Sequence, residues 1–177
     1  MRGECRQAIH IIALQQPRNT VTTTTPSASA DDNLLWDVRT FVFKHFAATA
    51  RPPSVNESAA HFDFGADEAT AIYQELNRRH AFFLEPGTLS IRIANPFSAV
   101  PTSFRVHAQG RSYWANCAWD ALGIPAALHC DAIVEATYAG SEQPVTLTIR
   151  DGQVETVDAV AHFLVPFDRW YDDMVFT

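Results

Sequence analysis

A chain of 177 residues, 47% of them apolar, suffices for one ordinary domain, or two small ones sharing an interface, around a real hydrophobic core. The net charge of −7 falls mainly on residues 98–177, which hold four arginines against ten acidic side chains, so the basic footprint needed for nucleic acid is missing. No apolar run approaches the roughly 18 residues of a membrane span, Gln15-Gln16-Pro17-Arg18 cuts the stretch from Ala8 to Leu14 too short for a signal peptide, and three cysteines without metal-ligand spacing form neither a disulfide framework nor a zinc knot, which together predict a soluble, cytoplasmic protein with reduced thiols.

Residues 1–32 read as a disordered N-terminal extension, because Thr20 to Ala30 (TVTTTTPSASA) lacks anchoring aromatics. Asp32 or Asn33 can cap a helix reaching about Ala50, with Leu34, Leu35, Val38, Phe41, Val42 and Phe46 forming an apolar stripe before Arg51-Pro52-Pro53 ends it. Ser54 followed by Glu57 is a capping-box pattern for a second helix, and Asp67-Glu68 opens a third that runs to about His80. Ala81 to Leu84 and Leu89 to Ile93 flank Glu85-Pro86-Gly87-Thr88 as a β-hairpin. These elements outline a winged-helix-like domain over 33–97, and Pro96 to Pro101 reads as a linker.

Residues 98–177 read as an antiparallel sheet domain with short helices, making the fold class α+β. Its strands are Ser103 to Ala108 and Arg111 to Ala115 around Gln109-Gly110, then Ala132 to Tyr138, then Pro144 to Arg150 and Gln153 to Val157 around Asp151-Gly152, then Val160 to Val165. Between them Cys117 to Leu122 forms a short helix that Gly123 and Pro125 break before a second piece reaches about His129.

The chemistry gathers at the strand-to-helix corner Tyr113-Trp114-Ala115-Asn116-Cys117-Ala118-Trp119-Asp120. Helix positions i and i+3 bring Cβ atoms to about 5–6 Å, so the Cys117 thiol and the Asp120 carboxyl can share a proton. With Asn116 as cap, Cys117 lies in the first turn, where the helix terminus favours a thiolate. Ionised Asp120 opposes this, so the two should titrate as a unit, able to take a proton from an attacking thiol and return it to a leaving group. The residues alone leave a plainer pair of roles open: a small buried hydrophobe and a first-turn carboxylate. Cys130, next to His129, reads as loop-end packing, the seven histidines show no ligand spacing, and Asp168, Asp172 and Asp173 read as a solvated helix start.

The segment Phe104 to Leu128 (FRVHAQGRSYWANCAWDALGIPAAL) resembles the core of the organomercurial lyases, also called alkylmercury lyases, which break carbon–mercury bonds. Gly140 to Leu147 (GSEQPVTL) is similar to that family's Gly-x-x-Gln-Pro-Val segment, and the winged-helix-like N-terminal part resembles the family's own. The resemblance implies that Cys117 is the nucleophile and binds the substrate's mercury, a soft metal suited to thiolate, while Asp120 is the general acid and base. It implies no organic cofactor, an exogenous thiol as co-substrate, and an N-terminal domain that covers the active site rather than reading nucleic acid. Trp114 and Trp119, which flank the thiol, become candidates for lining an apolar pocket around an alkyl or aryl group. The family's second active-site cysteine lies just past the region matched by His162 to Thr177, so the resemblance also predicts a chain truncated at its C-terminus. Cys130, swinging in, is the other candidate for a second thiol.

Three functions follow: an alkylmercury lyase cleaving carbon–mercury bonds by protonolysis to a hydrocarbon and Hg(II), a non-catalytic thiol protein that captures organomercurials or another soft metal, and a winged-helix regulator sensing through Cys117. The third conflicts with the acidic charge and with Asp67, Glu68 and Glu75 on the candidate recognition helix. A small organomercurial is the expected partner, with neither nucleic acid nor membrane; the residues carry no signal for an oligomeric state.

Overall fold

The computed structural model describes residues 30–139, 141, 143–155, 158–161 and 166–172. Most of residues 1–32, Cys5 included, and also Gly140, Glu142, Asp173 and the predicted strand positions 156–157 and 162–165 lie outside the described residues.

Helix α1, Ala30–Thr49, buries Leu35, Val38, Val42 and Phe46, the stripe that helical spacing predicts. It begins ahead of the predicted caps. Asp32, inside the helix, has a carboxylate that accepts from Arg79 Nη1 at 2.6 Å, a partner far along the chain. Ala50, left-handed at φ 58°, closes the helix ahead of the two prolines. Helix α2, Val55–Phe62, opens on the predicted capping box, with both Ser54–Glu57 hydrogen bonds formed. Helix α3, Ala66–Arg78, buries Ala69, Ile72, Tyr73 and Leu76. The hydroxyls of Ser58 and Tyr73 share a hydrogen bond of 2.7 Å, joining α2 to α3.

Among the described residues eight strands form one antiparallel sheet: β1 (Phe83–Leu84), β2 (Ile91–Ala94), β3 (Phe97–Ser98), β4 (Arg105–Ala108), β5 (Arg111–Ala115), β6 (Ala132–Thr137), β7 (Pro144–Arg150) and β8 (Gln153–Val154). The spatial order is β1-β2-β3-β5-β4-β6-β7-β8. Both predicted two-residue turns, Gln109-Gly110 and Asp151-Gly152, have positive φ at both positions, as tight hairpins of this hand require. Among the described residues the architecture is therefore α+β, with four α-helices and an antiparallel sheet.

Two further expectations change. The segment predicted as a linker contains β3, which pairs with β2 on one side and β5 on the other, so one sheet crosses that boundary. Fully buried Phe97 holds it there, stacked on Phe46 at 5.2 Å and tilted against Tyr113 at 5.3 Å. The two helical pieces predicted around Gly123 and Pro125 are one helix, α4, Ala118–Leu128. Pro125 deprives it of one backbone hydrogen bond, but the burial of Ala121, Ile124 and Pro125 itself holds the helix together.

Register places Phe97, Ala115, Tyr113, Val106 and Val134 on one face of the sheet. Helix α1 covers part of that face, where the Tyr113 hydroxyl donates to the Ala47 carbonyl at 2.7 Å, and α4 packs beside it against β4, β5 and β6. The opposite face carries Trp114, Ser112, His107, Ile133 and Glu135. Residues 158–161 form no regular structure, whereas Phe167–Asp172 forms a 3-10 turn whose Tyr171 ring stacks on His80 at 4.6 Å. No described helix is long and apolar enough to cross a membrane.

Candidate functional site

The corner before α4 is pinned from both sides. The Thr102 hydroxyl donates to the Ala115 carbonyl at 2.5 Å, and the Ala115 N–H donates to the Phe104 carbonyl at 3.0 Å. The chain stays extended through Cys117, at φ −147° and ψ 179°, so Cys117 is itself the N-cap and the expected cap, Asn116, lies one residue outside. The Cys117 carbonyl accepts the Ala121 N–H at 2.9 Å, starting the helical ladder.

One turn along, the Cys117 thiol donates to Asp120 Oδ2 with sulfur and oxygen 3.4 Å apart. Asp120 is only 7% exposed, an acidic side chain in a fold whose other fully buried side chains are nearly all apolar. Burial pushes its carboxyl up to about 6, with the thiol's hydrogen bond pulling the other way. Burial and then the charge of Asp120 push the Cys117 thiol up to about 11. The helix terminus does favour a thiolate, through the N–H groups of Asp120 and Trp119, but desolvation outweighs them and the net shift is upward. Near neutrality the pair holds one proton, carried on sulfur and aimed at the carboxylate. Such a pair can give up the thiol proton when a soft electrophile binds sulfur and deliver it again from the carboxyl group.

The other predicted site residues stand apart. Trp119 is 65% exposed. Trp114 lies on the face of β5 opposite Tyr113 and Ala115, with the Arg105 guanidinium 5.5 Å from its ring centroid. The arrangement does not gather the two indoles around the sulfur. Cys130 follows the C-cap of α4, and eleven helical residues separate it from Cys117, roughly 16 Å along the axis. Its own cleft is lined by Leu122, Pro125, His129, Ile149 and Val154. Among the described residues no cluster of three His, Cys, Asp or Glu side chains could hold a resident metal.

On the far face of the sheet His107 bridges Ser112, at 2.8 Å from Nδ1, and Glu135, at 3.0 Å from Nε2. Sequence reasoning assigned no role to the histidines. The register of the Gln109-Gly110 hairpin was signal enough to set His107 opposite Ser112, but Glu135 comes from a strand whose pairing is not local. The surrounding backbone is engaged in the β4–β5 and β4–β6 ladders, so this chain of side chains reads as cross-strand pairing.

The sulfur–carboxyl pair, on a helix laid against an antiparallel sheet, is the feature to set beside known proteins. Residues 97–176 match the alkylmercury lyase family, MerB. The resemblance read from the sequence holds over that segment, which contains both Cys117 and Asp120. A crystal structure of the mercury-bound form of MerB2 aligns with a TM-score of 0.56 at 19% identity, covering 70% of this chain and 63% of that chain. This likeness is one of fold, and the chain spans less than two thirds of that MerB2 chain. No curated protein matches the sequence.

Proposed function

We propose that this protein is an alkylmercury lyase that cleaves carbon–mercury bonds by protonolysis, with Cys117 as nucleophile and mercury ligand and Asp120 as the group that stores and returns the proton. The observation that carries the proposal is the 3.4 Å contact between the Cys117 thiol and buried Asp120, inside the segment that matches the MerB family. In this reading the Cys117 sulfur bonds to the mercury of R–Hg⁺ and its proton passes to Asp120. The protonated carboxyl then delivers that proton to the carbon as the carbon–mercury bond breaks, releasing R–H and leaving Hg(II) on sulfur. Two exogenous thiols remove the Hg(II) as a dithiolate and restore the Cys117 thiol. No organic cofactor enters. The N-terminal helices and the β1–β2 hairpin act as a winged-helix-like cover, and the activity serves detoxification of organomercurials in the cytoplasm.

One observation favours a second reading. Among the described residues Cys117 has no thiol neighbour, because Cys130 sits at the other end of α4, and a single thiol suits capture without turnover. Incubating the protein with phenylmercury or methylmercury and excess thiol, and following benzene or methane, separates the two. Hydrocarbon release that Cys117→Ser and Asp120→Asn both abolish supports the lyase; stoichiometric binding without release supports capture and sinks the lyase.

A further inference from the structure

The far face of the sheet carries a cleft of about 620 Å³ beside the Gln109-Gly110 hairpin, within the size range of small-molecule sites. Register builds its floor: Ser112, His107, Ile133 and Thr148 stand in one row across β5, β4, β6 and β7. The cross-strand pairing of His107 holds that row in place, with Ser112 at 2.8 Å and Glu135 at 3.0 Å from its two ring nitrogens. In the middle of the row Ile133 is 46% exposed, an uncovered aliphatic side chain between polar neighbours. Arg111 and Arg150 stand on the rim.

Two guanidiniums here run against the charge of their surroundings. Residues 98–177 hold four arginines against ten acidic side chains, yet two of the four border this cleft. The one carboxylate lining it among the described residues, Asp131, already accepts the Asp151 N–H at 2.9 Å. Elsewhere Arg51, Arg78, Arg79 and Arg92 each reach a carboxylate at 2.6 Å. By contrast Arg150 stands 3.6 Å from Glu155, and among the described residues Arg111 has no carboxylate within ion-pair distance. Both keep N–H donors for an incoming oxyanion, and Ser112 and Thr148 add hydroxyls to the same lining.

We propose that this cleft binds a small organic molecule bearing an oxyanion, with its phosphate or carboxylate held by Arg111 and Arg150 and its apolar body seated on Ile133. The cleft stands apart from the Cys117–Asp120 pair, because α4 packs with the core on the opposite face of the sheet. It is a second ligand site, and it holds whether or not the thiol corner releases hydrocarbon.

The test follows the backbone amide signals of Ser112 and Thr148 by NMR while the full chain is titrated with phenyl phosphate, benzoate or benzyl alcohol. The first two separate phosphate from carboxylate recognition, and the third keeps the ring without the charge. At least one anion is expected to saturate both signals with a Kd of about 1 mM or tighter, and benzyl alcohol to bind at least about tenfold more weakly. Arg111→Gln with Arg150→Gln should weaken that anion by roughly tenfold or more for each charge-assisted bond lost, whereas Arg78→Gln, on α3, should bind it as the parent does. Signals that neither anion moves at about 10 mM would overturn the proposal. So would benzyl alcohol binding as tightly as the anions, or an unchanged affinity in the double variant.

Discussion

The Cys117 sulfur lies 3.4 Å from Asp120 Oδ2 across the first turn of one helix, so altering either residue changes the proton on the other. The Asp120 carboxylate raises the Cys117 thiol both by its charge and by accepting its hydrogen bond. Asp120→Asn is therefore expected to make the thiol more acidic and faster to alkylate, while lowering hydrocarbon release from an organomercurial by about 10²–10⁴-fold through loss of the proton carrier. Measuring both rates on one preparation checks this; a variant slower in alkylation would contradict it.

Asp120 should also set a pH dependence of stability. Its carboxyl is raised from an ordinary value near 3.8 to about 6 in the folded chain, so between those values the folded state binds more protons than the unfolded one. The sign follows: stability is favoured below the lower value and lost as pH rises through the upper one. The loss amounts to about 3 kcal/mol for a shift of about two units, an order-of-magnitude figure. Urea unfolding of the parent and of Asp120→Asn should show the variant gaining relative to the parent between about pH 4 and about pH 7.

Tyr73→Phe removes one hydroxyl from the buried Ser58–Tyr73 contact and leaves Ser58 without that partner. The expected cost is about 1–3 kcal/mol, seen as a lower urea midpoint with an unchanged slope. Replacing Ser58 by alanine as well should cost less than the sum of the two single changes, since the stranded hydroxyl goes with its partner.

Phe97→Ala should be among the most damaging substitutions in the chain. The ring is fully buried between Phe46 and Tyr113 in the two-residue strand that joins β2 to β5. A loss of about 3–5 kcal/mol is expected, read as a fall in the urea midpoint.

Helix α3 should not bind DNA. Arg78 is held by Glu75 at 2.6 Å, and Arg79 by Glu75 and Asp32 at 2.6 Å, so the cations that would meet phosphates already have carboxylate partners. An electrophoretic gel shift at low salt, where even weak phosphate binding strengthens, is expected to show no complex.

Features specified by neighbouring residues were readable before the fold was known. The Ser54–Glu57 capping box, the apolar stripe of α1 and the hairpins at Gln109-Gly110 and Asp151-Gly152 each depend on a handful of consecutive side chains. The spacing of Cys117 and Asp120 is local in the same sense, and their contact followed from it. Features decided by distant partners were not readable. Asp32, inside α1, forms an ion pair with Arg79 at the end of α3, and β3 becomes a strand through Phe46 and Tyr113. Likewise α4 continues through Pro125 because the sheet buries it. The direction of the Cys117 shift belongs with these, since desolvation comes from residues that one helical turn does not contain.

The continuity of the sheet through β3 has a practical consequence for anyone dissecting the gene. A product trimmed to the family-matching residues 97–176 would keep the thiol corner but lose β2, exposing an unpaired ladder edge along β3. It would also strip α1 from Phe97 and Tyr113, turning aromatic surface that now faces Phe46 out to water. Such a fragment would be a self-associating, sticky polypeptide rather than a minimal enzyme, which makes the helices before residue 97 structural parts of the thiol corner although they supply none of its chemistry.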